Sequence, residues 1–242
     1  MPRTVAETPE YIVLDKPAGL IVHSDGRTVE PSVAEWLAAQ YPDTCAVGEP
    51  WVSPQGEVVR VCGLVHRLDR TTSGVLVAAR TAALYTHLKH EFKARRVEKV
   101  YRAIVHGHVQ DETGRIVAEI ARSSAAPKRW YAKPCDESYV RAAITEWRVL
   151  VRGESREGEP YSYLELVPKT GRTHQIRVHL SSIGHPIVGD HLYAPERAPI
   201  LGFTRSALHA FSVAFVLPSG ERVLYEAPLP TDFHDATLRS PA

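Results

Sequence analysis

The sequence predicts an α+β fold built on a large, mainly antiparallel sheet. Several segments have the apolar pattern of strands, and three have helical spacing. They do not alternate regularly, as the strands and helices of a parallel sheet would. A chain of 242 residues with 44% hydrophobic residues can bury a substantial core, and no repeat or linker divides it. We therefore expect a single domain over residues 1–242.

Short-range signals predict the elements of the first eighty residues. YIVLD (11–15) has the composition of a strand and ends at a Lys-Pro-Ala-Gly turn. Ser32 and Glu35 have the spacing of a capping box, which predicts the start of an amphipathic helix. Several prolines and glycines predict a loop over 42–60, and GVLVAAR (74–80) predicts a buried strand.

Residues 81–95 predict a basic amphipathic helix. Leu84, Leu88 and Phe92 recur at helical spacing, and the remaining face is rich in lysine, arginine and histidine. The helix lies within residues 66–133, which carry 14 lysines and arginines against 6 acidic residues, whereas the whole chain has a net charge of +1. Such a concentration of charge indicates a polyanion-binding surface, although a solvated helix face would give the same pattern.

The second half of the chain predicts further strands and one more helix. The apolar residues of THQIRVHLSSIG (173–184) fit both the alternation of a strand and the spacing of a helix. Thr173 as a cap and Gly184 as a terminator favour a helix. Alternating apolar residues predict strands at VYRAIVHG (100–107), AAITEWRVL (142–150), YSYLELV (161–167) and ALHAFSVAFVL (207–217).

Composition argues against secreted and membrane-spanning classes. The three cysteines are odd in number and widely spaced, which indicates a reducing compartment rather than a disulfide framework. No apolar stretch approaches the roughly 18 residues of a membrane-spanning helix, and the first residues do not resemble a signal peptide. We therefore expect a cytoplasmic protein without a membrane partner.

HRLDRTTSG (66–74) places one carboxylate, Asp69, between Arg67 and Arg70 at the start of the predicted buried strand. A neighbouring guanidinium favours the ionised form of a carboxylate, which suits a nucleophile or a base rather than a proton donor. The small residues that follow, ending in Gly74, would let the backbone approach a ligand closely. An ordinary ion pair at a strand start is the alternative.

Two further clusters contain residues suited to nucleic acid. Residues 170–190 contain Arg172, His174 and Arg177, with two more histidines, but no HExxH or comparable metal motif. Anion or substrate positioning by the arginines is therefore favoured over a metal site. The second cluster, at 98–107, places a tyrosine between a lysine and an arginine on a predicted strand. That arrangement is a base-stacking platform beside phosphate binders, or simply a half-buried sheet tyrosine.

Together these segments resemble the RluA-type RNA pseudouridine synthases. HRLDRTTSG, KVYRAIVHG and TGRTHQIRVHLSSIGHPIVGDHLY occur in the family's order. DKPAGLIVH (15–23) precedes them, and LHAFSVAFVLPSGERVLYEAPLPTDF (208–233) follows. The likeness runs over about residues 10–235, which we take as the core of the domain. HRLD and GRTHQIRVH are specific in combination, and the RsuA-type enzymes fit less well.

The resemblance implies a fold, a reaction and a set of site residues. The fold is a bent, mainly antiparallel sheet flanked by helices with a central cleft, and the reaction isomerises uridine to pseudouridine in structured RNA, either rRNA or tRNA. Asp69 would be the catalytic aspartate, Tyr101 the tyrosine that lies against the target base, and Arg177 the basic partner of Asp69. Arg67 would fill the gap left by a flipped nucleotide. The other RNA contacts we expect are Arg70, Lys93, Arg95, Arg96, Lys99, Arg172 and His174.

The resemblance also implies that no cofactor or metal is needed, because the base is detached at N1, rotated and rejoined through C5 without net oxidation or hydrolysis. Many relatives carry an extra N-terminal RNA-binding domain, whereas this sequence starts at the catalytic part, and we expect a monomer. Whether Asp69 attacks C1′ or removes the 2′ proton stays open. The alternatives are a noncatalytic RNA-binding module on the same scaffold and a metal-dependent hydrolase that uses the histidines.

Overall fold

The computed structural model describes residues 1–24, 30–53, 55–56, 58–123, 129–137, 139 and 141–233. The expected core boundary at residue 235 lies outside these residues. The chain forms two compact units. Unit 1 comprises Met1–Glu98 and Ala210–Pro228, and unit 2 comprises Lys99–His209 and the residues that follow Pro228. A single domain over 1–242 stays a prediction.

The two units contain twelve strands and three α-helices among the described residues. The helices are α1 (Val33–Gln40), α2 (Ala82–Lys93) and α3 (Gln175–Ser182). The strands are β1 (Arg3–Glu7), β2 (Tyr11–Lys16), β3 (Trp51–Val52), β4 (Val58–Val59), β5 (Ser73–Ala79), β6 (Glu98–His106), β7 (Thr113–Arg122), β8 (Trp130–Pro134), β9 (Ala142–Glu154), β10 (Pro160–Pro168), β11 (Leu208–Val216) and β12 (Arg222–Glu226).

The sheet of unit 1 is built around two strands that are buried along their whole length. Its order is β1-β2-β5-β11, with β12 paired to β11. Every residue of β2 and β5 is buried, which explains their continuous apolar sequences. Helix α2 packs on this sheet through Leu84 and Leu88, which share a core cluster with Val77 of β5. Burying such side chains stabilises the unit by about 1.5–3 kcal/mol each.

Helix starts in unit 1 follow the predicted capping signals. The Glu35 amide donates to Ser32 Oγ at 3.2 Å, and the Ser32 amide donates to Glu35 Oε2 at 3.0 Å. The capping box at α1 is therefore confirmed. The predicted loop over 42–60 is partly wrong, because the chain forms a short 3-10 helix at Pro42–Ala46 and the β3–β4 hairpin.

Unit 2 is an antiparallel sheet in the order β6-β10-β9-β7-β8. Its core is shared by strand residues such as Ile104 and Leu164 and by Leu180 of α3. The helix predicted over 173–184 is confirmed, but Thr173 is not its cap. The cap residue is His174, whose φ of 55° and ψ of 20° lie in the left-handed region.

Candidate active site

A buried lysine holds the turn that carries Asp69. Lys16, at the end of β2, is fully buried, and its ammonium donates to the carbonyl oxygens of Pro17 at 2.9 Å, Leu20 at 2.8 Å and Arg70 at 3.3 Å. An ammonium group has three protons to donate, so these carbonyls compensate for the loss of its hydration. The Lys-Pro-Ala-Gly turn is thereby tied to the residue that follows Asp69.

His66 fixes the other side of the same turn. Its Nε2 accepts the amide proton of Val77 in β5 at 3.0 Å, and its ring stacks on Phe92 of α2 with centroids 4.8 Å apart. Because Nε2 is an acceptor, the proton of the ring lies on Nδ1. The histidine of the HRLD motif therefore joins the turn to a strand and a helix, a role that the sequence did not indicate.

Gly74 allows two strands to approach each other closely. Its φ is 113°, and a Cβ atom built on it would lie 2.1 Å from the carbonyl oxygen of Ala210 in β11. A larger residue would push the two strands apart. The close approach of the neighbouring strand therefore requires glycine here, and the approach of a ligand to this backbone stays a prediction.

The charged residues of the HRLD turn differ in their surroundings. Asp69 is half-buried, whereas Arg67 and Arg70 are exposed. Arg70 forms an ion pair with Glu30, which partly compensates its charge. Within the described part of the chain, the Arg67 side chain makes no ion pair or hydrogen bond, so its guanidinium is available to RNA. The roles of Asp69 and Arg67 stay predictions.

The basic residues at the end of α2 are not equivalent. Lys93 and Arg95 are exposed. Arg96 donates from Nε and Nη2 to the two carboxylate oxygens of Glu91 at 2.9 and 2.5 Å. Hydrogen bonding from Arg96 lowers the pKa of Glu91, which keeps that partner ionised. Arg96 is therefore a weaker candidate for a phosphate contact than its two neighbours.

In unit 2, β6 carries the predicted stacking tyrosine. Tyr101 is half-buried and packs against the core of the unit, opposite Leu166 of β10. Lys99, two residues earlier, lies on the same face of the strand. Arg102 lies on the other face and pairs with Glu165. Of the two cations that flank Tyr101 in sequence, only Lys99 therefore shares its face.

A buried glutamine shapes the loop that carries Arg172. The Gln175 Oε1 atom accepts the Thr170 hydroxyl at 2.6 Å and the Arg172 amide at 3.0 Å. Its Nε2 donates to the Ile144 carbonyl at 2.9 Å and the Thr145 hydroxyl at 3.0 Å. The side-chain amide of Gln175 thus makes four hydrogen bonds, two to this loop and two to β9. The Arg172 side chain itself is exposed.

His179 is part of the core rather than a reactive group. Its side chain is fully buried, and Nδ1 lies 2.9 Å from the Thr145 hydroxyl. Burial lowers its pKa to about 4, so the ring is neutral at physiological pH. Within the residues that the structure describes, no cluster of three or more histidine, cysteine or acidic side chains could hold a metal ion.

Arg177 is held by a carboxylate and an aromatic ring. Its Nε and Nη2 donate to the two carboxylate oxygens of Asp190 at 2.7 and 2.9 Å, and its guanidinium lies 5.1 Å from the centre of the Tyr193 ring. Asp190 Oδ1 also accepts the amides of Leu192 and Tyr193. Both members of the ion pair are buried. The pairing of Arg177 with Asp69 stays a prediction.

The Tyr193 hydroxyl joins a second predicted site residue to this group. It accepts the amide proton of Trp130 at 3.1 Å and lies 2.8 Å from Nδ1 of His174. Asp190 and Tyr193 were not among the predicted site residues. The signal was their position in the GDHLY segment, at the end of the basic cluster.

Comparison with known proteins decides the family. The model of the RNA pseudouridylate synthase family matches residues 10–182. This chain belongs to that family. The resemblance drawn from HRLD and GRTHQIRVH is thereby confirmed. Among the residues that the structure describes, no helix combines the length and apolar character needed to cross a membrane.

Several curated relatives are about one-third identical to this chain. An RNA pseudouridine synthase of Synechocystis is 33% identical over 94% of this chain and 65% of its own length. Ribosomal large subunit pseudouridine synthase D of Neisseria meningitidis is 35% identical over 95% of this chain and 59% of its own length. The dual-specificity RNA pseudouridine synthase RluA of Vibrio parahaemolyticus is 34% identical over 95% of this chain and 83% of its own length. The chain thus spans less than two-thirds of the first two relatives.

Solved structures confirm the fold class. Human RNA Pseudouridylate Synthase Domain Containing 1 superposes with a TM-score of 0.71 at 27% identity, over 95% of this chain and 84% of its own. Human RNA Pseudouridylate Synthase Domain Containing 4 gives the same TM-score at 23% identity, over 98% of this chain and 92% of its own. The predicted mixed fold with mainly antiparallel strands is the fold of these proteins.

Proposed function

We propose that this chain is an RNA pseudouridine synthase that isomerises uridine in structured rRNA or tRNA. Its family membership supports the proposal. The observation that carries it is local: Asp69 lies half-buried on a turn that Lys16 and His66 fix from two sides. A turn braced in this way keeps a carboxylate in one place, as catalysis by positioning requires.

The chemistry assigns roles to three side chains. The bond between C1′ and N1 breaks, the uracil rotates, and a bond forms between C1′ and C5; the proton lost from C5 is matched by one gained at N1. Asp69 acts at the sugar, either by attack on C1′ or by removal of the 2′ proton. Tyr101 stacks on the base, and its hydroxyl takes part in removal of the C5 proton. The resemblance assigns to Arg177 the role of keeping the Asp69 carboxylate ionised.

Extrusion of the target base requires compensation from the protein. Flipping a nucleotide out of a helix costs a few kcal/mol. Stacking of one base on an aromatic ring returns about 1–3 kcal/mol, which is the role we assign to Tyr101. Arg67 would fill the gap left by the flipped nucleotide. The exposed cations Lys93, Arg95 and Arg172 would add phosphate contacts that are independent of sequence.

The test uses RNA that carries tritium at C5 of uridine. Isomerisation replaces the C5–H bond with a C5–C1′ bond, so each turnover releases one tritium to water. We expect release without cleavage of the RNA, and the same rate in excess EDTA. Binding without release would favour the noncatalytic RNA-binding module. RNA fragments that disappear on addition of EDTA would favour a metal-dependent hydrolase.

The identity of the target needs a second experiment. Pseudouridine mapping across all cellular RNA, with and without the gene, would show which uridines depend on this chain. A signal confined to rRNA or tRNA is the expected result. A cytoplasmic location and a monomeric state belong to the same proposal, and cell fractionation and light scattering would test them.

A further inference from the structure

Two of the three cysteines lie side by side in unit 1. The Sγ atoms of Cys45 and Cys62 are 3.9 Å apart, although the residues are 17 positions apart in sequence. A backbone hydrogen bond of 2.9 Å from the amide of Gly63 to the carbonyl of Val47 joins the two segments. The β3–β4 hairpin lies between the cysteines along the chain. The two thiols are therefore neighbours because the backbone pairs the segments that carry them.

Cys62 occupies a turn position that favours other residue types. The amide of Leu64 donates to the carbonyl of Val61 at 3.0 Å. Between them, Cys62 and Gly63 have φ of 46° and 71°. Two successive residues in the left-handed region are typical of a type I′ turn, which favours Asn, Asp or Gly at the first of the two positions. The turn itself thus gains no stability from a cysteine here, and the side chain that it carries contacts the thiol of Cys45.

The two thiols differ in reactivity. Burial raises the pKa of Cys62 to about 12, so this thiol stays protonated at neutral pH. Cys45 is half-buried, whereas Cys62 is buried, so a small oxidant reaches Cys45 first. Thiols that react with oxidants commonly lie beside a second cysteine that completes a disulfide. The pair therefore combines a more exposed sulfur that reacts first with a buried sulfur in contact with it.

We propose that Cys45 and Cys62 form a redox-modification site, which hydrogen peroxide converts from two thiols to a disulfide. The Cys45 sulfur attacks one oxygen of the peroxide, the O–O bond breaks, and the leaving oxygen takes the thiol proton to become water. The Cys62 sulfur then attacks the sulfenic sulfur, the S–O bond breaks, and the hydroxyl leaves as water with the proton of Cys62. Two thiols are thereby oxidised to one disulfide, and one peroxide is reduced to two waters.

The geometry of unit 1 indicates which segment moves when the bond forms. A disulfide requires sulfurs about 2 Å apart, so the thiols must approach by roughly 2 Å. The segment after Cys62 is fixed to β5, because the Gly63 carbonyl accepts the amide of Ala79 at 2.8 Å. Cys45 lies in the short 3-10 helix at Pro42–Ala46, which is partly exposed. We therefore expect this helix to move and the HRLD turn to stay in place.

The first test maps the bond. The wild type is treated with a small excess of hydrogen peroxide, remaining thiols are alkylated, and tryptic peptides, which cleavage after Arg60 separates, are analysed by mass spectrometry. We expect one linkage, between the peptides of Cys45 and Cys62, that a dithiol reductant removes. Cys135→Ala is the matched control and should form the same bond, whereas Cys45→Ala should form none. Oxidised cysteines without this linkage, or a linkage to Cys135, would overturn the inference.

The second test measures the effect of the bond on stability. A cross-link between residues 17 positions apart restricts the unfolded chain, so the thermal midpoint of the oxidised wild type should rise by about 5–10 °C. The reductant should reverse this shift, and peroxide should leave the midpoint of Cys45→Ala unchanged. A midpoint that falls on oxidation of the wild type would contradict the proposed geometry, because the bond would then strain the fold.

The third test shows whether the HRLD turn stays in place. Tritium release by the oxidised wild type should remain within about twofold of that of the reduced protein, because a catalytic group that does not move keeps its rate. A loss of about tenfold or more would show that the bond displaces the turn. Reduced wild type without any release would contradict the proposed function instead, and the mapped linkage and the thermal midpoint would still decide the role of the two cysteines.

Discussion

Two arginine–aspartate pairs among the described residues of unit 2 have nearly the same geometry. Arg177 donates to both carboxylate oxygens of Asp190 at 2.7 and 2.9 Å, and Arg205 donates to both oxygens of Asp232 at 2.8 and 3.0 Å. Each guanidinium also lies over an aromatic ring, at 5.1 Å for Arg177 and 5.6 Å for Arg205. Hydrogen-bond geometry alone therefore does not distinguish a functional pair from a structural one.

The two pairs differ in what else their members bind. Arg205 also donates from Nη1 to the carbonyls of Ser206 and Leu208, so the arginine fastens neighbouring backbone. In the other pair it is the aspartate that binds backbone, and the ring is a tyrosine whose hydroxyl reaches His174. The pair of Arg205 and Asp232 joins the last described residues to the rest of unit 2. The second arrangement links Arg177 to His174 through Asp190 and Tyr193, and Arg177 and His174 are both predicted site residues.

The largest effect that separates a reacting group from a positioning group is expected at Tyr101. Tyr101→Phe keeps the stacking ring and removes the hydroxyl, and proton transfer by a positioned group contributes about 10²–10⁴-fold. We expect the single-turnover rate to fall at least a hundredfold while RNA affinity stays near the wild-type value. A near wild-type rate for Tyr101→Phe would leave it only a stacking role.

The comparison between the two pairs is tested by matched substitutions. Asp190→Asn should lower the single-turnover rate about a hundredfold, because a displacement of about 1 Å in a catalytic group has that effect. Asp232→Asn should leave the rate within about twofold. Rates are compared at a temperature at which urea unfolding shows both variants to be folded. Equal rate losses in the two variants would show that the Arg177 pair is only structural.

A smaller effect should separate the cations at the end of α2, because among the described residues Arg96 has a carboxylate partner and Lys93 and Arg95 have none. Replacement of Lys93 and Arg95 by alanine should reduce the slope of log K against log salt by about 1–2 units, if both contact phosphate. Arg96→Ala should change the slope less, since Glu91 already binds that guanidinium. Affinity for one RNA, measured over a range of salt concentrations, gives both slopes. A larger change for Arg96→Ala would reverse this assignment.

The folding stability of the protein depends on pH, so the variants should be compared at a pH where the protein is fully stable. His179 has a pKa of about 4 in the folded protein and about 6.5 when unfolded, so the unfolded state binds more protons between these values. Its contribution, about 3 kcal/mol, is complete above pH 6.5 and is lost as the pH falls towards 4. Urea unfolding at pH 7.5 and 5 should show this loss, and His179→Gln should reduce it. The same loss in the variant would assign it to other groups.

Elements with strong local signals could be predicted from the sequence. β2 and β5 are continuous apolar runs, and α1 begins at a capping box, so neighbouring residues are enough to define them. β7 and β8 were missed because their half-exposed residues give little alternation. β1 and β12 are short and rich in charge, and pairing with a neighbouring strand defines them more than their own composition does.

The supporting residues of the candidate site could not be predicted, because their partners are distant in sequence. Lys16 binds the carbonyl of Arg70, 54 residues later, and Gln175 binds that of Ile144, 31 residues earlier. Asp190 ends the basic cluster, but its role depends on the turn that brings it to Arg177. The sequence therefore indicated the residues that would contact RNA more readily than those that hold them in place.

The central claim is that Asp69 carries the chemistry, and one measurement tests it directly. Tritium release from RNA labelled at C5 of uridine is compared for the wild type and Asp69→Asn, with RNA affinity measured for both. The substitution keeps the size of the side chain and removes its charge. The account predicts no detectable release by the variant, and affinity that is unchanged or slightly higher because a negative charge has left a polyanion site. Appreciable release by Asp69→Asn would contradict the mechanism.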